Sequence, residues 1–160
     1  MRRAIRAGRR MALMAPGLIA MLAALTAPAV HAVGETAAGL WVTIDDSTGK
    51  ARSHVRIYEN DGVFFGRIEK ILIPGKSDKC GLCTDERKDQ PALGLVIIRH
   101  MKPSTDHPDV WTGGDVLDPE KGAVYSSRMT LSSDGQTLQV RGFIGISLFA
   151  RSQTWRRIGQ

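Results

Sequence analysis

The sequence predicts an all-β protein in which about eight antiparallel strands form a single up-and-down barrel. Short runs rich in Val, Ile, Phe, Tyr and Trp alternate with turn residues at the intervals that sandwiches and barrels show. Most connections between the runs are short, which favours antiparallel neighbours, and no stretch after residue 33 has a convincing helical period. Eight strands can close on themselves and leave room for side chains or one small ligand.

Residues 1–32 are excluded from this fold because they have the three parts of a cleavable signal peptide. The first ten residues carry five arginines and no acid, an apolar run covers Met11–Thr26, and small or apolar residues stand at the cleavage positions Val30 and Ala32. The alternatives are a transmembrane anchor and a buried helix, but the run is shorter than the ~20 residues that a spanning helix needs. Arg9-Arg10 suggests export by the twin-arginine route, but the residues that follow match that signal poorly. We therefore expect cleavage near Ala32/Val33 and a periplasmic or secreted barrel domain over residues 33–160.

Removing the signal peptide changes what the charge of the chain implies. The full sequence has 22 basic and 16 acidic residues, a net charge of +6. Five of the basic residues and none of the acidic ones lie in the signal peptide, so the excess falls to +1. A nucleic-acid partner is not expected from this balance. No second apolar run approaches membrane-spanning length, so no membrane span is expected in the mature protein.

The individual strands follow from apolar alternation and from the turns between them. Asp61-Gly62 between two strand patterns is a strong hairpin signal. The fourth strand is almost continuously apolar, which predicts cover on both faces, and Gly113-Gly114 predicts a bend or bulge in the fifth. A Pro-containing turn over Asp118–Gly122 leads into the sixth. The predicted strands are Leu40–Ile44, Ala51–Tyr58, Val63–Leu72, Leu93–Met101, Val110–Leu117, Ala123–Leu131, Thr137–Phe143 and Leu148–Ile158.

One connection, Ile73–Ala92, is much longer than the others, and it contains both cysteines of the chain. Loops of this length in a compact domain are usually functional or disordered. A redox role for Cys80 and Cys83 would need a strand and a helix N-terminus around them, which the pattern lacks. Metal binding would need further ligands from His100, His107 or Asp85 at spacings that match no standard zinc site. In an oxidising compartment we favour a local disulfide that stiffens the loop, and we predict no metal and no cofactor.

The last predicted strand carries polar and aromatic side chains on the same face. If that face points inward, it offers a cavity with an aromatic wall and polar groups able to hold an anionic or hydroxylated ligand. If it points outward, it is a solvated face with extended arginines. The sequence leaves both open for Phe149, Arg151, Gln153, Trp155 and Arg157, which share the face by the period of two.

The first and last predicted strands together carry a short motif. Gly39-Leu40-Trp41 opens the first strand, and Arg156 and Arg157 end the last. This pairing resembles the closure motif of lipocalin and calycin barrels, in which an Arg stacks across the Trp at the closed end, as a cation over a π face can. An ordinary core Trp is compatible with the same barrel.

Several segments together resemble the bacterial family known as domain of unknown function 2147. The resemblance implies an exported, calycin-like β-barrel and supplies no activity. The matching stretches span most of the mature chain in order, with Asp89 and Ala150 as departures where glycine is usual. The segments are Gly39–Trp41, the Cys80–Cys83 loop, Glu86–Pro91 leading into Leu93–Leu95, Trp111–Tyr125, Arg141–Gly145 and Arg151–Trp155. Recurrent family positions are Arg87, Gln90, Asp118, Tyr125, Arg141, Arg151, Gln153 and Trp155, which we take as candidate ligand-binding residues.

Three functions are compatible with the sequence. The first is an exported barrel that binds a small ligand. The second is an envelope interaction or stress module that uses the loop over 73–92 as its contact surface, with an unknown protein partner. An enzyme is the least favoured, because the available serines lie in no nucleophile elbow and the histidines are scattered. It would need a cluster such as Arg87, Asp118 and Arg151 around a cavity.

Overall fold

The computed structural model describes residues 36–45, 48–73, 78–145 and 150–160. Within these ranges eight antiparallel strands form a closed barrel in which each strand pairs with the next and the last pairs with the first, which confirms the predicted fold. The strands are β1 Gly39–Ile44, β2 Ala51–Asn60, β3 Val63–Ile71, β4 Val96–Pro103, β5 Val110–Asp118, β6 Ala123–Leu131, β7 Thr137–Phe143 and β8 Ala150–Gly159. The signal peptide predicted over 1–32, together with Leu148 and Phe149 of the predicted last strand, lies outside the described residues.

Strand β4 begins three residues later than the apolar run predicts. Gly94 adopts a left-handed conformation with φ of +87°, which interrupts a regular strand. The backbone still hydrogen-bonds to β3 here, since Gly94 donates to the Ile68 carbonyl at 2.8 Å and Ile68 donates to the Leu95 carbonyl at 3.0 Å. Ile97 and Ile98 are both buried, in agreement with the predicted cover on both faces.

Alternation along the strands sends one set of side chains into the barrel. In β2, Ser53, Val55 and Ile57 are buried while the residues between them are partly exposed, as a strand with one covered face requires. The largest fully buried side chains form the core and include Trp41, Trp155, Ile57, Ile98, Met101, Met129, Leu138 and Val55. The described residues include no apolar helix of the length that a bilayer crossing requires.

Glycines act where the backbone must turn or approach a neighbour. Asp61 and Gly62 have φ of +51° and +77°, the left-handed pair that a tight hairpin between β2 and β3 needs. The predicted bulge in β5 is present, because the pairing of β5 with β6 shifts between Trp111 and Gly114. A Cβ on Gly114 would lie 2.1 Å from the Arg99 carbonyl oxygen, so only glycine fits there without a shift.

Trp41 and Arg157 close one end of the barrel. The Arg157 guanidinium lies 4.2 Å from the centroid of the Trp41 ring, whereas the side chain of Arg156 is exposed. The Arg157 guanidinium also donates hydrogen bonds to the carbonyls of Gly135 at 2.7 Å, Ala38 at 2.8 Å and Thr36 at 2.7 Å. The motif predicted from the two chain ends is therefore formed, and Arg157 is its cation.

Candidate functional site

All eight strands contribute side chains to a cavity of about 100 Å³ at the other, open end of the barrel. The carboxyl ends of β1, β3, β5 and β7 lie at this end. The wall is largely aliphatic and aromatic, and a few polar groups point into it. The apolar wall consists mainly of Ile68, Ile97, Val116, Leu117, Val140 and Trp155, and the polar groups belong to Thr43, Arg52, Ser53, Asp118, Tyr125, Arg151 and Gln153.

Two hydrogen-bonded pairs stand in the cavity wall. The hydroxyls of Thr43 and Ser53 are 2.8 Å apart, and both side chains are buried. On β8, Trp155 Nε1 donates to Gln153 Oε1 at 3.1 Å. A polar side chain inside a barrel is stable when it is paired in this way, and it remains able to make a further hydrogen bond. These groups lie on the neighbouring strands β8, β1 and β2, and they add hydrogen-bonding capacity to a largely apolar wall.

The turn between β5 and β6 crosses the mouth of the cavity. At the start of this turn, Asp118 Oδ2 accepts a hydrogen bond from Arg151 Nη1 of β8 at 3.4 Å. Within the turn, Glu120 Oε1 lies 2.9 Å from Arg52 Nη2 of β2. Neither β8 nor β2 is a neighbour of β5 in the barrel, so these ion pairs join strands across the open end. The other Asp118 oxygen accepts from the Glu120 amide at 3.1 Å, which fixes the turn itself.

The cysteine loop packs against the outside of this turn. Cys80 and Cys83 form a disulfide, as the favoured interpretation predicts, and both residues are buried. Cys80 Sγ lies 3.5 Å from the Pro119 carbonyl oxygen, and a Cβ on Gly122 would lie 2.0 Å from the Leu82 carbonyl oxygen. No group of three or more His, Cys, Asp or Glu side chains in the described ranges is arranged to hold a metal ion.

Arg87 holds the loop to the barrel wall. Its side chain is 5% exposed, it donates to the two Asp85 carboxylate oxygens at 2.5–3.1 Å, and it donates to the Val96 carbonyl at 3.2 Å. The hydrogen bond from Arg87 lowers the pKa of Asp85 to about 2, although burial acts in the opposite direction. Arg99 of β4 lies 3.7 Å from the same carboxylate. This cluster ties the loop to β4.

The structure brings five of the eight candidate residues together. Asp118, Tyr125, Arg151, Gln153 and Trp155 line the cavity, so the last strand turns its mixed face inward. Arg87 and Gln90 lie apart from them, in a groove between the loop and the outer barrel wall. Arg141 is exposed on β7, where it pairs in register with Arg128 and Ser152. An enzyme was expected to need a cluster of Arg87, Asp118 and Arg151, and of these three residues only Asp118 and Arg151 are in contact.

Sequence reasoning missed several residues of the cavity wall. Ser53 could have been found, because it is the polar member of the inward face that also carries Val55 and Ile57. Arg52 could not, because alternation places it on the outer face, and its long side chain reaches the mouth only because it stands at the end of a strand. Gly142 has a steric role here, since a Cβ on it would lie 3.1 Å from Tyr125 Cβ.

Comparisons with known proteins agree with this architecture. A structurally similar protein is HP1028 from the human pathogen Helicobacter pylori, which is described as belonging to the lipocalin family. The likeness has a TM-score of 0.64 at 20% identity and covers 76% of this chain and 82% of that one. At this identity it concerns the fold alone. No curated protein matches the sequence. The model of one family matches residues 39–157, from the first strand to the last, and the chain therefore belongs to the family of uncharacterized proteins conserved in bacteria known as DUF2147.

Proposed function

We propose that this protein is an exported barrel that binds a small ligand in the cavity at its open end. The observation that carries the proposal is that five of the eight candidate residues marked by the family resemblance line one cavity. Their side chains supply an aromatic face, a hydroxyl, an amide and an ion pair within a largely apolar surface. Pockets that bind small molecules combine these features, with apolar area for affinity and a few polar groups for orientation.

The size of the cavity limits what it can hold. A volume of about 100 Å³ is below the ~300–1,000 Å³ of pockets for drug-sized ligands. An apolar cavity of about 150 Å³ accepts benzene. The buried part of a ligand should therefore be smaller than benzene, of the size of a short hydrocarbon chain. The likeness to a protein described as a lipocalin supports the same function, since small closed barrels have room for one ligand.

A matched pair of cavity variants tests ligand binding. Val140 lines the cavity and the neighbouring Gln139 is exposed on the outside of β7, so Val140→Phe fills the site while Gln139→Phe adds the same ring outside. Native mass spectrometry of protein isolated from a bacterial periplasm should detect a bound small molecule in the parent and in the Gln139→Phe variant. Circular dichroism reports whether each variant folds.

The Val140→Phe variant should lose the bound mass. If that variant does not fold, Arg151→Met and the exposed control Arg141→Met provide a milder comparison of the same kind. Binding that survives both Val140→Phe and Arg151→Met would contradict the proposed site. The proposed function would be contradicted if the parent protein binds neither a co-purified small molecule nor any small molecule added to it.

Export is the second part of the proposal, and it is supported by the three-part signal over residues 1–32. N-terminal sequencing of the protein recovered from the periplasm should begin at Val33. A start far from that residue, or recovery of the chain only from the cytoplasm, would contradict it.

A second candidate function is an interaction module that acts through the loop over 73–92. The specific observation in its favour is the exposure of large apolar side chains around this loop, with Leu82 64% and Leu93 58% exposed. In-cell crosslinking from position 82 should then trap a defined protein, and Leu93→Ser should abolish the capture without changing the mass bound in the cavity. A small molecule bound in the cavity, with no protein trapped from position 82, would favour the ligand-binding function.

A further inference from the structure

We infer that the outer side of β6, β7 and β8 docks on the surface of a membrane that contains anionic phospholipid. We call the outward-facing positions of these three strands the arginine face. This face lies on the outside of the barrel, so its partner does not depend on whether the cavity binds a ligand. The arginine face has unpaired positive charge, that charge is spread over three strands, and exposed apolar side chains stand beside it.

The three strands contain five arginines and no acidic residue. Arg151 and Arg157 have the contacts described above, at the mouth of the cavity and at the closed end of the barrel. The other three are exposed, and within the part of the chain that the structure describes their side chains form neither an ion pair nor a hydrogen bond. These three are Arg128, Arg141 and Arg156. The residues numbered 146–149, which join β7 to β8 and are not described, include no acidic residue either.

Two of these arginines are placed where their charges repel each other. Arg128 stands directly opposite Arg141 in the pairing of β6 with β7. The Cβ atoms of such a pair are about 4.5–5.5 Å apart, and like charges in these positions destabilise a sheet. The neighbouring strand β5 places Asp115 opposite Ser126, but this carboxylate is held by Arg99, whose Nε lies 3.3 Å from it. The fold therefore retains a repulsive pair, which an anionic partner would relieve.

The third arginine extends the positive charge along the barrel. Arg156 of β8 pairs with Thr137, which lies four positions before Arg141 on β7 and so about 13 Å from it along the strand. A guanidinium group binds phosphate through two parallel hydrogen bonds, and the hydroxyl of Ser152, opposite Arg141, can donate one more. Charges spread in this way fit a surface that carries many phosphate groups better than they fit one small anion.

Exposed apolar side chains beside the arginines favour a lipid surface over a soluble polyanion. Among the described residues, five large apolar side chains are exposed, and three of them belong to these strands or directly follow one. These three are Val124 at 43%, Ile144 at 60% and Ile158 at 47% exposure. Proteins that bind a membrane surface combine insertion of apolar side chains with attraction to anionic headgroups. A soluble polyanion offers no apolar layer for such side chains.

Sedimentation with lipid vesicles tests the inference. The isolated protein is mixed with vesicles of phosphatidylcholine alone and with vesicles of equal parts phosphatidylcholine and phosphatidylglycerol. We expect the partition coefficient to be at least about tenfold higher for the anionic vesicles, since each arginine near an anionic surface contributes about fivefold. The difference should shrink several-fold between about 0.05 M and about 0.5 M salt because of screening. Equal binding to the two kinds of vesicle, or binding to neither, would overturn the inference.

A charge-matched pair of variants locates the contact. Arg128→Gln combined with Arg141→Gln should lower the partition coefficient on anionic vesicles about twentyfold. The control combines Lys70→Gln with Lys102→Gln, which removes the same charge from exposed positions of β3 and β4 on the far side of the barrel. That control should stay within about twofold of the parent, because charges beyond a Debye length are screened. Equal losses in the two double variants would mean that net charge acts and not the arginine face, which would overturn the inference.

The arginine variant should fold at least as well as the parent. Because it removes a repulsive cross-strand pair, its thermal midpoint should be unchanged or higher. Its guanidinium groups lie outside the barrel, so the mass bound in the cavity should also be unchanged. A protein that binds a small molecule in the cavity and no vesicle would overturn the docking inference alone. Vesicle binding by a protein with an empty cavity would support docking and contradict the ligand-binding function.

A second double variant separates lipid from soluble polyanions. Val124→Ser combined with Ile144→Ser should weaken binding to anionic vesicles several-fold, because apolar insertion is lost, and should leave binding to dextran sulfate unchanged. Vesicle binding that is unaffected by this variant, together with equally tight binding of dextran sulfate by the parent, would show that the face recognises soluble polyanions. That result would overturn docking on a lipid surface.

Discussion

Asp118 on β5 accepts a hydrogen bond from Arg151 on β8 at 3.4 Å, across the open end of a barrel in which these two strands are not neighbours. The contact therefore does not follow from strand pairing. It exists because the turn after β5 folds over the mouth, where its acidic groups meet cations that stand at the starts of β8 and β2. The same short segment thus lines part of the cavity and also crosses its mouth.

The Asp118–Arg151 pair should contribute little to stability. One partner is 46% exposed, and exposed ion pairs contribute about 0.2–1 kcal/mol. A double-mutant cycle with Asp118→Asn and Arg151→Met, measured by urea unfolding, should give a coupling free energy in that range. The coupling should shrink in 1 M salt because of screening. A coupling of several kcal/mol would mean that the pair is a structural element rather than a contact that can open.

Replacement of Arg157 should be far more damaging. Its guanidinium covers the Trp41 ring at 4.2 Å and satisfies three backbone carbonyls. Burial of this group lowers the pKa of Arg157, but the side chain remains charged at neutral pH. Loss of the cation–π contact and of charged hydrogen bonds should lower the free energy of unfolding by about 2–4 kcal/mol in Arg157→Met.

The neighbouring Arg156 provides the control for that experiment. It pairs with Val42 on the same two strands, and its side chain is exposed. Unfolding in guanidinium chloride should show that Arg156→Met changes the free energy of unfolding by no more than about 0.5 kcal/mol. Equal losses for the two variants would show that Arg157 does not close the barrel as its contacts indicate.

The sequence predicted the barrel well because its signals are local. Alternation with a period of two fixes which face of β2 is buried, and Asp61-Gly62 can adopt the left-handed turn that joins it to β3. The late start of β4 was missed, because Leu93–Leu95 continues the apolar pattern while the left-handed Gly94 breaks the strand.

The candidate site was predicted only in part, because the roles of its arginines are decided by tertiary contacts. Arg87, Arg141 and Arg151 were equal candidates by resemblance. In the fold, Arg87 is held by Asp85 inside the loop, Arg141 points outward, and Arg151 reaches the cavity. Arg52 was not a candidate at all, because its contact with Glu120 depends on how one turn crosses the mouth.

Acid should loosen the disulfide loop before it unfolds the barrel. The pKa of Asp85 is lowered from 3.8 to about 2, mainly by its hydrogen bond with Arg87. A carboxylate with a lowered pKa stabilises the folded state above its unfolded pKa, and this contribution is lost as the pH falls from about 4 towards 2. The hydrogen-exchange protection factors of the loop amides should fall over that range, while those of β6 and β7 remain high.

Asp85→Asn should produce the same loss of protection at neutral pH. The control is Asp89→Asn, because Asp89 is 67% exposed and lies 3.8 Å from an exposed lysine. That variant should leave the exchange of the loop unchanged. A loop that is equally protected at pH 2 and pH 7 would show that the Asp85–Arg87 contact does not hold it in place.

The contact between the loop and the turn can be tested with two glycines in the same backbone conformation. Gly122 and Gly62 have φ of +63° and +77°, so an alanine at either position costs roughly 1–2 kcal/mol of backbone strain. The positions differ in what surrounds them. A Cβ at Gly122 would lie 2.0 Å from the Leu82 carbonyl oxygen, whereas nothing lies within 4 Å of a Cβ at Gly62.

Gly122→Ala should therefore lower the free energy of unfolding by about 1–3 kcal/mol more than Gly62→Ala, because the added methyl group must displace the loop. The displacement should also expose the disulfide, since Cys80 and Cys83 are 0% and 2% exposed in the native protein. Dithiothreitol should then reduce the disulfide several-fold faster in Gly122→Ala than in Gly62→Ala or the parent. Equal stability losses and equal reduction rates in the two variants would mean that the loop does not pack on the turn that covers the cavity.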